Sequence, residues 1–131
     1  MTDYKLRRKI MVDTQIRPSD VTKFPIIDAF LSVPREKFVP DGKREAAYIG
    51  ENFKIGQSRV ILEPRTLAKL LDALDIHNDE LVLDIGIGLG YSSAIISLIA
   101  EVVIAVEDDS NLASEAEEIL SEIGVDNVVV Q

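Results

Sequence analysis

The chain has 131 residues, 47% of them hydrophobic, with 14 Lys and Arg against 23 Asp and Glu, and no cysteine. That length suits one domain burying about two-thirds of its unfolded surface, and the lack of cysteine excludes disulfides, thiolate metal sites and a cysteine nucleophile. The net charge of −9 is uneven, ten cationic against six acidic residues through position 44 and four against seventeen beyond it, which argues against a nucleic-acid partner.

No apolar run reaches the roughly 18 residues of a membrane-crossing helix. The polar start Met1-Thr2-Asp3-Tyr4-Lys5 lacks the apolar stretch of a secretory signal, so a cytoplasmic location without membrane contact is expected. Residues 3–17 place Leu6, Ile10, Met11 and Ile16 near helical spacing, with Lys5, Arg7, Arg8 and Lys9 toward solvent, and Pro18 ends this helix. Ser19 or Thr22 can cap a second helix running through Phe24, Ile27 and Leu31, with Pro25 in its first turn. In Val33-Pro34-Arg35-Glu36-Lys37-Phe38-Val39-Pro40, two prolines bracket a single turn and fix the chain's direction. Glu63-Pro64 opens a third helix, with Leu67, Ala68, Leu70, Leu71 and Leu74 at core spacing. His77, the only histidine, falls in a polar loop before the next strand, at the end opposite the expected site, and is not assigned as a base.

Leu81-Val82-Leu83-Asp84-Ile85 reads as a strand buried on both faces, and Gly86, Gly88 and Gly90 follow it in a tight turn. From Tyr91 to Ala100 the pattern becomes a helix of small and aliphatic residues. Glycines between a strand's carboxyl end and a helix's amino end let a ligand approach the main chain, so this is a nucleotide-type site. A dinucleotide fingerprint needs a third glycine five residues after the first, and Tyr91 stands there. A second strand, Val102 to Val106, ends in Glu107 and Asp108, where a carboxylate can accept hydrogen bonds from a ribose diol. Asn111 to Ile123 is an amphipathic helix with Leu112, Ala116, Ile119, Leu120 and Ile123 inward and Glu115, Glu117, Glu118 and Glu122 in solvent. Gly124 closes it, and a third strand begins at Asn127, with an apolar edge that could pair with another copy. The oligomeric state is not legible.

Asp84-x-Gly86-x-Gly88-x-Gly90 resembles the first motif of S-adenosylmethionine-dependent methyltransferases with a Rossmann-like sheet. The resemblance implies that Asp84 lies near the methionine end of the cofactor, that the glycines pass beneath methionine and ribose, and that Glu107, with Asp108 beside it, holds the ribose. Met11-Val12-x-x-Gln15-Ile16-Arg17, the Val33–Pro40 block, Ala47-Tyr48 and Ile55-Gly56-Gln57-Ser58 narrow this, in order and approximate spacing, to a resemblance to the protein-L-isoaspartate O-methyltransferase family. That family typically reads Gly-Gln-Thr-Ile-Ser-x-Pro where this chain reads Gly56-Gln57-Ser58-Arg59-Val60-Ile61-Leu62-Glu63-Pro64, two residues longer. Ser58 is therefore the candidate catalytic hydroxyl, and Arg59 and Arg65 are candidates to hold the substrate carboxylate.

The implied fold is α/β, the amino-terminal part of a Rossmann-like methyltransferase: a helical extension over residues 1–55, then a cofactor-binding portion over 56–131 with the first three strands of the sheet. The implied activity is methyl transfer from S-adenosylmethionine to the carboxylate of isoaspartyl residues in damaged proteins. The acceptor is already ionised at neutral pH, so neither a strong base nor a metal is required. Two other readings remain open: a related methyltransferase with a different acceptor, and a non-catalytic cofactor-binding or interaction domain.

Overall fold

A computed structural model describes residues 2–131, which divide into two compact units between Asp75 and Ile76. The first begins with α1 (Tyr4–Met11), whose amino end is capped by the Asp3 side chain accepting the Leu6 amide at 3.0 Å. The helix widens into a π-turn (Val12–Ile16) and tightens into a 3-10 turn (Arg17–Ser19) that carries Pro18. The expected helix thus runs through the Met11–Arg17 block, but not as one regular α-helix.

Helix α2 (Phe24–Ser32) starts with Pro25 in its first turn, as expected; neither Ser19 nor Thr22 caps it, because Lys23 occupies the cap position and makes no side-chain cap bond. The two prolines of the next block enclose a 3-10 turn (Arg35–Phe38), and another 3-10 turn follows (Asp41–Ala46). Met11, Val12, Ile16, Val21, Phe30 and Phe38 are at most 1% exposed and form the heart of this unit. Its last elements are β1 (Phe53–Lys54), β2 (Val60–Ile61) and α3 (Pro64–Leu74), which packs on α2 and the π-turn. Strands β1 and β2 pair antiparallel, Phe53 opposite Ile61 and Lys54 opposite Val60. The boundary expected after residue 55 falls inside this unit.

The second unit is a parallel sheet in the order β3 (Leu81–Ile85), β4 (Val102–Val106), β5 (Val128–Val130), crossed by α4 (Tyr91–Ser97) and α5 (Ser110–Glu122). Parallel neighbours need such crossovers, and the register is regular, with Leu83 beside Ile104 and Ile104 beside Val129. Val103 and Ala105 are fully buried on one face; Ala105 clusters there with Ile87 and Ala116, and Val128 and Val130 pack against them.

One expectation about this sheet is corrected. Strand β3 is not buried on both faces: Leu81, Leu83 and Ile85 are 68%, 60% and 72% exposed, and Val129 on the same face is 45% exposed. Helix α5 meets the other face through Ala116, and right-handed crossovers stepping the same way across the sheet put α4 there too, so this apolar row has no helix of its own unit over it. The α/β class, the helical amino-terminal part and the three parallel strands are as the sequence predicts.

Candidate functional site

The site is built where β3 ends. Gly86, Gly88 and Gly90 take φ values of 76°, 60° and 99°, in the left-handed region that a side chain with a Cβ enters at a cost of about 1–2 kcal/mol. Gly90 also lies against α5, where a Cβ would stand in ordinary contact with Ala116 Cβ at 3.4 Å and Leu120 Cδ1 at 3.5 Å, so its requirement for glycine is the backbone conformation. The turn is pinned to the sheet by the Gly86 amide, which donates to Val106 O at 2.7 Å.

Two carboxylates brace this turn. Asp84 is half-buried at the tip of β3, and its Oδ2 accepts both the Ser92 hydroxyl at 2.7 Å and the Ser93 hydroxyl at 2.9 Å from the first turn of α4. Glu107, at the tip of β4 and 5% exposed, accepts the Gly88 amide on Oε1 at 2.7 Å and the Asp109 amide on Oε2 at 2.9 Å. The strand order makes this possible, because β3 and β4 are neighbours and their carboxyl ends lie side by side, with Ile85 opposite Val106.

Asp84, Gly86, Gly88, Gly90 and Glu107 are thus brought together at one end of the sheet, and Asp108 stands exposed next to Glu107. Three participants were not singled out from the sequence. Ser92 and Ser93 orient Asp84, and Asp109 caps α5 by accepting the Asn111 and Leu112 amides at 2.9 and 3.2 Å. The signal for Asp109 was there: an acidic residue directly before a helical pattern is a cap signature.

The remaining candidates belong to the first unit. Ser58 is exposed and Arg59 half-buried in the turn joining β1 to β2, a hairpin closed by the Ile55 amide donating to Arg59 O at 3.0 Å. Arg65, exposed on α3, donates through Nε to the Ser19 hydroxyl at 3.0 Å. His77 lies at the opposite end of β3 from the glycine turn. Among the described residues no group of three or more His, Cys, Asp or Glu is arranged to hold a metal, and no helix is long and apolar enough to cross a membrane.

Comparison with known proteins places this architecture. The family model of protein-L-isoaspartate(D-aspartate) O-methyltransferase matches residues 6–131. Protein-L-isoaspartate O-methyltransferases of Syntrophus aciditrophicus and Dictyoglomus turgidum are each 36% identical, over 100% and 95% of this chain and 60% and 56% of their own. Among solved structures, a protein-L-isoaspartate O-methyltransferase shares the fold with a TM-score of 0.81 at 22% identity, covering 95% of this chain and 41% of its own. A Plasmodium falciparum chain, described as a beta-aspartate methyltransferase and solved with S-adenosyl-L-homocysteine, gives a TM-score of 0.73 at 17% identity, over 100% of this chain and 63% of its own. The chain spans 50–61% of the length of these and other curated relatives.

Proposed function

Since the chain belongs to the protein-L-isoaspartate(D-aspartate) O-methyltransferase family, we propose that it binds S-adenosylmethionine at the Gly86–Gly90 turn and serves methyl transfer to the carboxylate of isoaspartyl residues in proteins. The observation that carries the reading is the bridge from Glu107 to the Gly88 amide, which holds an acidic side chain against the glycine turn at the carboxyl end of the sheet. Asp84 fits the same ligand, because both serines bond Oδ2 and neither uses Oδ1, which remains an acceptor for an ammonium group. Asp108 is a second acceptor on the exposed side.

Held by Asp84, the glycine turn and Glu107, S-adenosylmethionine would supply an electrophilic methyl on a sulfonium, with a neutral thioether as leaving group. The chain's own part is binding and alignment. Holding two reactants in line is worth about 7–11 kcal/mol in well-oriented systems, and an ionised carboxylate needs no base. We assign the acceptor side to Ser58, as a hydroxyl donor, and to Arg59, with Arg65 as a further cation for the substrate carboxylate.

A specific observation supports a second reading, the same chemistry on another acceptor. The Gly56–Pro64 segment differs from the family pattern by two residues, and its first part forms the turn and second strand of the β1–β2 hairpin. One experiment separates the isoaspartyl reading from the other two: calorimetric titration of the chain with S-adenosylhomocysteine, with Gly88→Val as control, followed by methylation of an isoaspartyl peptide and of the same peptide with normal aspartate. Saturable binding abolished by the control, with methylation of the isoaspartyl peptide alone, is the expected result. Binding without transfer to either peptide would point to another acceptor or to a binding domain, and no binding would overturn the cofactor assignment.

A further inference from the structure

Segments far apart in sequence meet around two consecutive side chains of the first unit, Arg35 and Glu36. Arg35 is fully buried, and its Nε donates to Ala47 O at 2.6 Å while Nη2 donates to Leu62 O at 3.1 Å. Glu36, 7% exposed, accepts the Tyr48 hydroxyl at 2.5 Å and Arg8 Nη2 at 3.2 Å. Gln15 Nε2 donates to Tyr48 O at 3.0 Å. The proline-bracketed turn therefore grips residues 47 and 48 with two adjacent side chains, and the second arm of the guanidinium reaches on to residue 62.

Leu62 immediately follows β2, so this last bond lies at the root of the hairpin that carries Ser58 and Arg59. Asn52 Oδ1, which accepts the Glu63 amide at 2.9 Å, is a second tether at the root. Each strand of the hairpin is two residues long, and a ribbon that short is not stable by itself in water. Its placement therefore comes from outside the ribbon: Phe53 and Ile61 are buried, at 7% and 8% exposure, and the root is bonded to Arg35 and Asn52. A guanidinium suits that task, because its planar donors span two carbonyls at a fixed separation, which a lysine ammonium does not. Apolar side chains of similar volume commonly stabilise a core as well as a buried charge does, so stability alone does not account for an arginine here.

We propose that Arg35 is a positioning residue: through the Leu62 carbonyl it fixes the root of the 53–61 hairpin and so sets where Ser58 and Arg59 stand toward the methyl acceptor. The acceptor half rests on the methyltransferase reading; the hairpin half does not.

The test uses the whole chain with Arg35→Lys, Arg35→Met and Asn52→Ala, read by amide hydrogen exchange and by methylation of an isoaspartyl peptide. In Arg35→Lys the Ile55 and Glu63 amides, which bond Arg59 O and Asn52 Oδ1, exchange about tenfold faster or more, while Ile26 and Ile27, bonded to Lys23 O, keep their rates. Asn52→Ala gives the same local pattern. The KM for the peptide rises about tenfold or more while kcat and the KM for S-adenosylmethionine hold. Wild-type exchange at Ile55 and Glu63 in a folded Arg35→Lys would overturn the proposal. So would acceleration spread evenly over the unit, or loss of the fold in both Arg35 variants, since either makes Arg35 a stability element only. If the wild-type chain methylates no isoaspartyl peptide, the proposed function fails while the exchange rates still decide the role of Arg35.

Discussion

Glu107 and Gly88, nineteen positions apart, are joined by a 2.7 Å hydrogen bond from the glycine amide to Oε1, with the other carboxylate oxygen on the Asp109 amide. One buried side chain thus ties the turn after β3 to the loop after β4. Glu107→Gln keeps the size but leaves one acceptor oxygen where two amides donate, setting an NH2 against a donor. We expect a loss of about 1–3 kcal/mol in urea unfolding and S-adenosylhomocysteine binding weakened about tenfold or more, read by calorimetry. Unchanged affinity would remove Glu107 from the cofactor site.

Adjacent acids in this loop carry different roles, and substitution separates them. Asp109 caps α5 through two amides, so Asp109→Ala costs about 1 kcal/mol. Asp108 is exposed, and Asp108→Ala stays within about 0.5 kcal/mol in the same unfolding experiment. Equal losses would mean that the cap does not operate in solution.

Tyr48 gives the fold a dependence on alkaline pH. Burial raises its pKa well above the usual value, helped by its hydrogen bond to Glu36 and opposed by Arg8. The folded state therefore holds this proton more tightly than the unfolded chain, so the associated stability is complete below about pH 10 and declines as pH rises above it. Tyr48→Phe removes that decline. Urea midpoints of the two proteins between about pH 8 and 11 should converge as pH rises, and parallel curves would refute the coupling.

The two faces of the sheet respond differently to truncation. Leu83 is 60% exposed, so Leu83→Thr shifts stability by less than about 0.5 kcal/mol. Leu120 is 4% exposed on α5, and Leu120→Ala costs about 2–5 kcal/mol by leaving a cavity. A large loss at Leu83, measured by chemical unfolding, would show that the β3 row is covered in solution.

Much of this was readable from local signals. Strands of apolar residues, three glycines in five positions and helices at 3.6-residue spacing are short-range patterns, and they placed Asp84, the glycine turn and Glu107 at neighbouring strand ends. The π-turn and the short hairpin escaped, because neither has a period of its own: one is a local widening of a helix and the other pairs only two residues on each strand.

What the sequence determined by itself was the α/β class, the order of the elements and the chemical type of the glycine turn, since backbone freedom and side-chain periodicity act over a few residues. What only the tertiary structure decided was pairing across distance. That Glu107 accepts the Gly88 amide, that Arg35 bridges residues 47 and 62, and that β3 shows one apolar face to solvent follow from which elements pack together. A hydrogen-bond partner is fixed by the folded backbone, and burial by whichever element covers a face; neither is set by the residues adjacent in the chain.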